Sequence, residues 1–179
     1  MVDGTETEYL MAKERAVMML GLGAECRLPS NRQIKDCIED LTKAQLGEDE
    51  TKRRVRQMRQ IAAEIMAAIT DADPFLIGST LTGQIRECSD IDIHAYSDES
   101  SSLVQQLAFC GYEDIAEEHV ENRKGTFIHL RWQEEIYPVE ITVYPWSWRH
   151  IVPISSVTGK PMKRADLKGV NGLIKESRN

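Results

Sequence analysis

Two aspartates separated by one isoleucine, in Asp90-Ile91-Asp92-Ile93, constrain this chain more than any other feature. On a β-strand, residues i and i+2 share a face, so both carboxylates emerge together while Ile91 and Ile93 turn toward a core. Like charges that close raise each other's pKa unless a divalent cation neutralises them. Hard oxygen ligands favour magnesium or manganese over zinc. Asp90 and Asp92 are therefore read as metal ligands.

Twelve residues before Asp90, the short apolar run Phe75-Leu76-Ile77 delivers the chain to Gly78-Ser79. A glycine there lets a phosphate approach the backbone, and Ser79 adds a hydroxyl and an amide at the start of a helical turn. A third carboxylate is available in Val139-Glu140-Ile141, where alternation turns Glu140 away from its aliphatic neighbours. If its strand lies beside the Asp90 strand, Glu140 completes the set. His94, next after Ile93, is read as structural and as facing away from Asp92. His119, His129 and His150 show no ligand spacing and are read as structural too.

The rest of the pattern is helical before residue 72 and strand-rich after it. Apolar residues recur at helical spacing over 6–22, 34–46 and 49–70, and Ser30 with Gln33 has the spacing of a capping box. These Met, Leu and Ile stripes are read as core packing. Strands are expected at 75–77, 91–96, 114–121, 126–132 and 136–144, with a helix over 102–109 and a last one over 164–175. The last three strands read as antiparallel, joined by hairpins at Asn122-Arg123-Lys124-Gly125 and Gln133-Glu134-Glu135. The expected fold class is α/β (α+β), a small mixed sheet of about five strands with flanking helices. Residues 1–72 form an N-terminal helical region packing on the core, and 73–179 the core with a short tail helix.

With 179 residues, a net charge of −7 and no apolar run of membrane-spanning length, one soluble domain is expected. The acidic start lacks a secretory signal, so the expected compartment is the cytoplasm. Cys26, Cys37, Cys88 and Cys110 have no C-x-x-C pairing and are read as reduced, mostly structural thiols. The acidic balance argues against a broad polyanion-binding surface, and the cluster Lys52-Arg53-Arg54 with Arg56 and Arg59 is read as a solvated helix face. Trp132, Trp146 and Trp148 are read as packing residues rather than base-stacking ones. Thr158-Gly159-Lys160 lacks the first glycine of a phosphate-binding loop and is rejected as one.

The pattern G-S-x3-G-x5-S-D-I-D-I over residues 78–93 resembles the signature of the DNA polymerase beta-type nucleotidyltransferases. At Thr82-Gly83 it resembles the terminal nucleotidyl- and uridylyltransferase branch, and in brevity the minimal bacterial nucleotidyltransferases. The tail segment from Ser155 to Pro161 is similar to that of uncharacterised bacterial proteins with such a domain. The resemblance implies a nucleotidyltransferase fold and two magnesium or manganese ions on Asp90, Asp92 and Glu140. It also implies nucleotide phosphates on Gly78 and Ser79, with Arg86 as a further charge for them. Asp is the commoner third carboxylate in that family, and Glu140 departs from it. The implied reaction moves a nucleoside monophosphate from a nucleoside triphosphate to a hydroxyl on a small molecule, a protein or an RNA end. The competing expectation is an inactive nucleotide-binding or protein-interaction module, with the N-terminal helices meeting a protein partner.

Overall fold

A computed structural model describes residues 4–23, 25–122, 125–154 and 160–177. Among the described residues, six α-helices, α1 (Gly4–Leu20), α2 (Asn31–Leu46), α3 (Glu48–Ala68), α4 (Gly78–Thr82), α5 (Ser100–Phe109) and α6 (Leu167–Glu176), accompany five strands. The strands are β1 (Phe75–Leu76), β2 (Ile91–Tyr96), β3 (Ala116–Asn122), β4 (Gly125–Glu134) and β5 (Tyr137–Tyr144). They form one mixed sheet in the order β1-β2-β5-β4-β3, as expected for the fold class. Only the β2–β5 pair is parallel, because β2 reaches β5 through α5 and the β3–β4 hairpin rather than through a tight turn.

Alternation gives the sheet two unlike faces. Ile91, Ile93 and Ala95 of β2, Val139, Ile141 and Val143 of β5, and Leu130 and Trp132 of β4 join one buried apolar cluster. Against them pack Val55, Met58, Ile61, Ala62, Ile65 and Met66 of α3, Leu103 and Leu107 of α5, and Val170 and Ile174 of α6. At roughly 1.5–3 kcal/mol for each large side chain fully buried, this cluster is the principal stabilising term. The opposite face carries Asp92, Glu140, His129 and Arg131.

The three N-terminal helices differ in what they do. The capping box before α2 forms as its spacing predicts. Gln33 Oε1 accepts from the Ser30 amide at 2.9 Å, and Ser30 Oγ accepts from the Gln33 amide at 3.2 Å. The α3 stripe is core, as read. The α1 stripe is not: Met19 is 80% exposed and Leu10 51%, and Met11, Met18 and Leu20 are exposed as well. Helical periodicity reports that an apolar face exists, not that a partner covers it. The four cysteines are free, as read, but all are exposed, so they are not the structural packing residues expected.

Element ends move for local reasons. The last helix begins at Leu167 rather than 164, because Ala165 exchanges backbone hydrogen bonds of 2.9 and 3.0 Å with Leu76 before Asp166 caps the helix through the Gly169 amide. The second hairpin turns at Glu135-Ile136, with Glu135 in the left-handed region at φ 53°, and pairs Glu134 with Tyr137. The turn residues Arg123 and Lys124 and the segment 155–159 of the phosphate-loop-like tail lie outside the described residues. Among the described residues, no helix is long and apolar enough to cross a membrane.

Candidate active site

The parallel register of β2 and β5 sets Asp92 directly opposite Glu140. Asp90 precedes β2 by one residue and shares that side, so the three carboxylates sense one another. Burial raises the Asp90 carboxyl above its ordinary value, with Glu140 adding to the rise. Burial pushes Asp92 up to about 7, helped by the charges of Asp90 and Glu140. Among the described residues, Asp92 accepts no hydrogen bond that would offset this. A largely buried carboxylate without a donor, beside two others, is charged only at an electrostatic cost, which any nearby positive charge would offset.

Gly78 lies immediately against that carboxylate. Its φ is +70°, and a Cβ built there would stand 2.2 Å from Asp92 Oδ2, so both conformation and space require glycine. The Ile77 amide donates to the Asp92 carbonyl at 3.0 Å, which fixes the start of α4 beside β2. Two hydroxyls then tie the loop together. Thr80, fully buried, donates to the Asp90 carbonyl at 2.9 Å. Ser89 Oγ receives the Arg86 amide at 2.7 Å and the Ser79 hydroxyl at 3.2 Å.

Glu140 lies on the strand beside Asp92, and its carboxylate is engaged elsewhere. Glu140 Oε1 meets His129 Nδ1 at 2.7 Å, and Glu140 Oε2 accepts from Arg131 Nε at 2.7 Å. His129 foremost, then Arg131, holds the Glu140 carboxyl down at about 2 against the cost of its burial. Arg131 also pairs with Glu118 on β3. Among the described residues, no three side chains of His, Cys, Asp or Glu converge closely enough to hold a metal ion, because Glu140 is turned toward β4.

Arg86 is exposed and donates to the Tyr9 hydroxyl of α1 at 3.0 Å, while its charge reaches Asp90. His94 corrects its expected orientation: it follows Asp92 by two and therefore shares its face. It is 4% exposed, its ring stands 4.9 Å from that of Tyr144, and burial, with Arg164 nearby, lowers its pKa to about 4. Tyr96, Phe127, Tyr144 and Trp148 continue an aromatic patch along the same face. Trp132 is core, as read, and Trp146 is a rim residue under Arg149.

Residue spacing alone passes over four groups here. His129 and Arg131 reach Glu140 only through the β4–β5 register, and Thr80 and Arg59 act on backbone carbonyls. The turn at Glu135-Ile136 is the signal that locates the first two.

No known protein family matches the chain, and no curated protein matches it. Solved structures resemble it distantly. One is a cytoplasmic RNA terminal U-transferase, at 15% identity and a TM-score of 0.37 over 62% of this chain and 33% of that one. Another is Cid1 in complex with a UTP analogue, at 13% and 0.37 over 64% and 37%. A third is a GLD-2/RNP-8 complex, at 12% and 0.36 over 64% and 40%. The chain spans about a third of the length of the first two. Likenesses this distant decide nothing about the site.

Proposed function

We propose that this chain is a metal-dependent nucleotidyltransferase that moves a nucleoside monophosphate from a nucleoside triphosphate to a hydroxyl acceptor. The observation that carries the reading is the register of Asp92 against Glu140, with Asp90 on the same side and a glycine required beneath the Asp92 carboxylate. Asp90 and Asp92 would hold magnesium or manganese, and the donorless, partly buried Asp92 fits that part. Glu140 would join them once its pairing with His129 and Arg131 opens. When bound, the divalent ions polarise the α-phosphate and offset the charge of the leaving pyrophosphate.

The chain's own residues do the rest. Gly78 and Ser79 seat the β- and γ-phosphates, and Arg86 adds an exposed charge near Asp90. The acceptor oxygen forms its bond to the α-phosphorus as the bond to the bridging oxygen breaks, and pyrophosphate leaves. The acceptor's proton passes to a carboxylate or to water. Glu140 is a weak proton acceptor while His129 and Arg131 hold it at about 2, so its part is that of a ligand more than a base. The acceptor is a small molecule, a protein or an RNA end, and the exposed face of α1 is where a protein partner would sit.

One observation favours a second reading. If Arg131 never releases Glu140, the site retains two carboxylates and serves a nucleotide-binding module without turnover. Calorimetry with each nucleoside triphosphate and magnesium, on the native chain and on an Asp90→Ala/Asp92→Ala variant, separates these possibilities from a site of no function. Heat from the native chain alone supports a nucleotide site, and pyrophosphate release then distinguishes transfer from sensing. Equal heats from both chains, or none from either, would falsify the reading.

A further inference from the structure

Helix α4 is five residues long and its C-terminal carbonyls need donors from outside. The Gly83 amide takes the Ser79 carbonyl at 2.8 Å and closes the turn. The Thr80 and Leu81 carbonyls are taken by one side chain from another element: Arg59 of α3 donates Nε to Thr80 at 3.1 Å and Nη2 to Leu81 at 2.8 Å. No other helix supplies a side chain to this loop's backbone among the described residues.

We propose that Arg59 is the positioning residue of the phosphate loop, a strut that sets the Gly78–Gly83 segment against the Asp90-Asp92 strand. The inference rests on the nucleotidyl-transfer reading and assigns α3 a part in it. Three observations support it. First, the guanidinium fork bridges two adjacent carbonyls, a geometry that a single ammonium does not reproduce. Second, Arg59 is half-buried, and although the charge of Glu176 acts on it, among the described residues no carboxylate forms an ion pair with it and its hydrogen bonds go to the loop. Burial lowers its pKa, a cost that a solvated helix-face arginine does not carry. Third, the bonds continue to the acidic strand. The residue whose carbonyl receives Arg59 Nε, Thr80, donates its hydroxyl to the Asp90 carbonyl at 2.9 Å. At the other end of α4, Ile77 bonds the Asp92 carbonyl.

The base of the strut is rigid, since Met58, Ile61 and Ala62 beside it are core residues. Arg59 bonds backbone carbonyls of the loop. It acts by holding α4, and with it the Gly78 amide and the Ser79 hydroxyl, in one place relative to Asp92. Three other basic residues of its cluster do otherwise: Arg53 and Arg54 pair with Glu50, and Lys52 with Glu48.

The test compares the native chain with Arg59→Lys and Arg59→Ala by amide hydrogen exchange without ligand, and by calorimetry with magnesium and a nonhydrolysable nucleoside triphosphate. Arg59→Ala is expected to speed exchange at Gly83 about tenfold or more, with β2 and β5 amides unchanged, and to weaken triphosphate binding by about an order of magnitude. Arg59→Lys is expected to keep the native thermal midpoint yet recover little of the affinity. Native exchange at Gly83 in Arg59→Ala, or native affinity in Arg59→Lys, overturns the assignment of Arg59 alone. A native chain that binds no triphosphate overturns the nucleotidyl-transfer reading beneath it.

Discussion

Asp92 and Glu140 face each other across two strands, and their surroundings move their carboxyls in opposite directions. Asp92, pushed up to about 7, holds its proton more tightly in the folded chain than the unfolded value of 3.8 allows. Its contribution to stability is therefore fully present below pH 4 and lost as pH rises toward 7. Glu140, held at about 2 by His129 and Arg131, contributes stability above its unfolded 4.5 and loses it as pH falls toward 2. Between pH 4.5 and 7, the Asp92 change dominates this pair. In metal-free buffer, Asp92→Asn is expected to flatten the decline and to exceed the native chain at pH 8 by on the order of 2–4 kcal/mol. Urea midpoints of both chains at pH 5 and pH 8 measure this. A native chain as indifferent to pH as the variant would mean that Asp92 is solvated. Saturating magnesium should erase the difference at pH 8, since a bound cation stabilises the charged form.

Among the elements, local sequence and tertiary demand agree in some places and part in others. The capping box of Ser30 and Gln33 is a purely local device and forms as spelled. Because α2 is peripheral, with Leu41 exposed, losing that cap should stay local. Ser30→Ala is expected to cost about 1 kcal/mol of α2 stability and to raise amide exchange in its first turn, with the sheet unaffected. Exchange that spreads into β2 or β5 would show α2 to be part of the central cooperative unit. The β4–β5 hairpin is less legible. The acidic stretch Gln133-Glu134-Glu135 marks a turn region, but the turn forms at Glu135-Ile136. A shift of one residue at a hairpin exchanges the faces of a strand, so it decides whether His129 and Arg131 meet Glu140 or the core.

At the scale of the whole molecule, the helices before β1 divide by burial rather than by position. α3 contributes Val55, Met58, Ile61, Ile65 and Met66 to the core under the sheet, whereas α1 leaves its apolar side chains exposed. Five such residues at roughly 1.5–3 kcal/mol each rival the 5–15 kcal/mol that separates a folded domain from its unfolded ensemble. A chain of residues 47–179 is expected to unfold cooperatively with a midpoint within a few degrees of the full chain's, having lost the Tyr9–Arg86 bond and the cover of α2. A chain of residues 73–179 is expected to show no cooperative transition. Thermal melts followed by circular dichroism check both, and a folded 73–179 chain would show that α3 is dispensable to the core.

Much of this was legible in the chain itself. The alternation around Asp90 and Asp92, the glycine before them, the α3 stripe and the α2 cap depend on neighbours within a few residues, and such neighbours follow from the periodicity of one element. What tertiary structure decided lies between elements. Glu140 stands opposite Asp92 because β5 pairs parallel with β2 in one register. Its carboxylate turns to His129 and Arg131 because β4 pairs on the other side. Arg59 reaches the Thr80 and Leu81 carbonyls because α3 packs beside α4. Each of these joins residues on different elements, and the energies that select them come from burying the opposite face of the sheet. Local spacing carries no record of that choice.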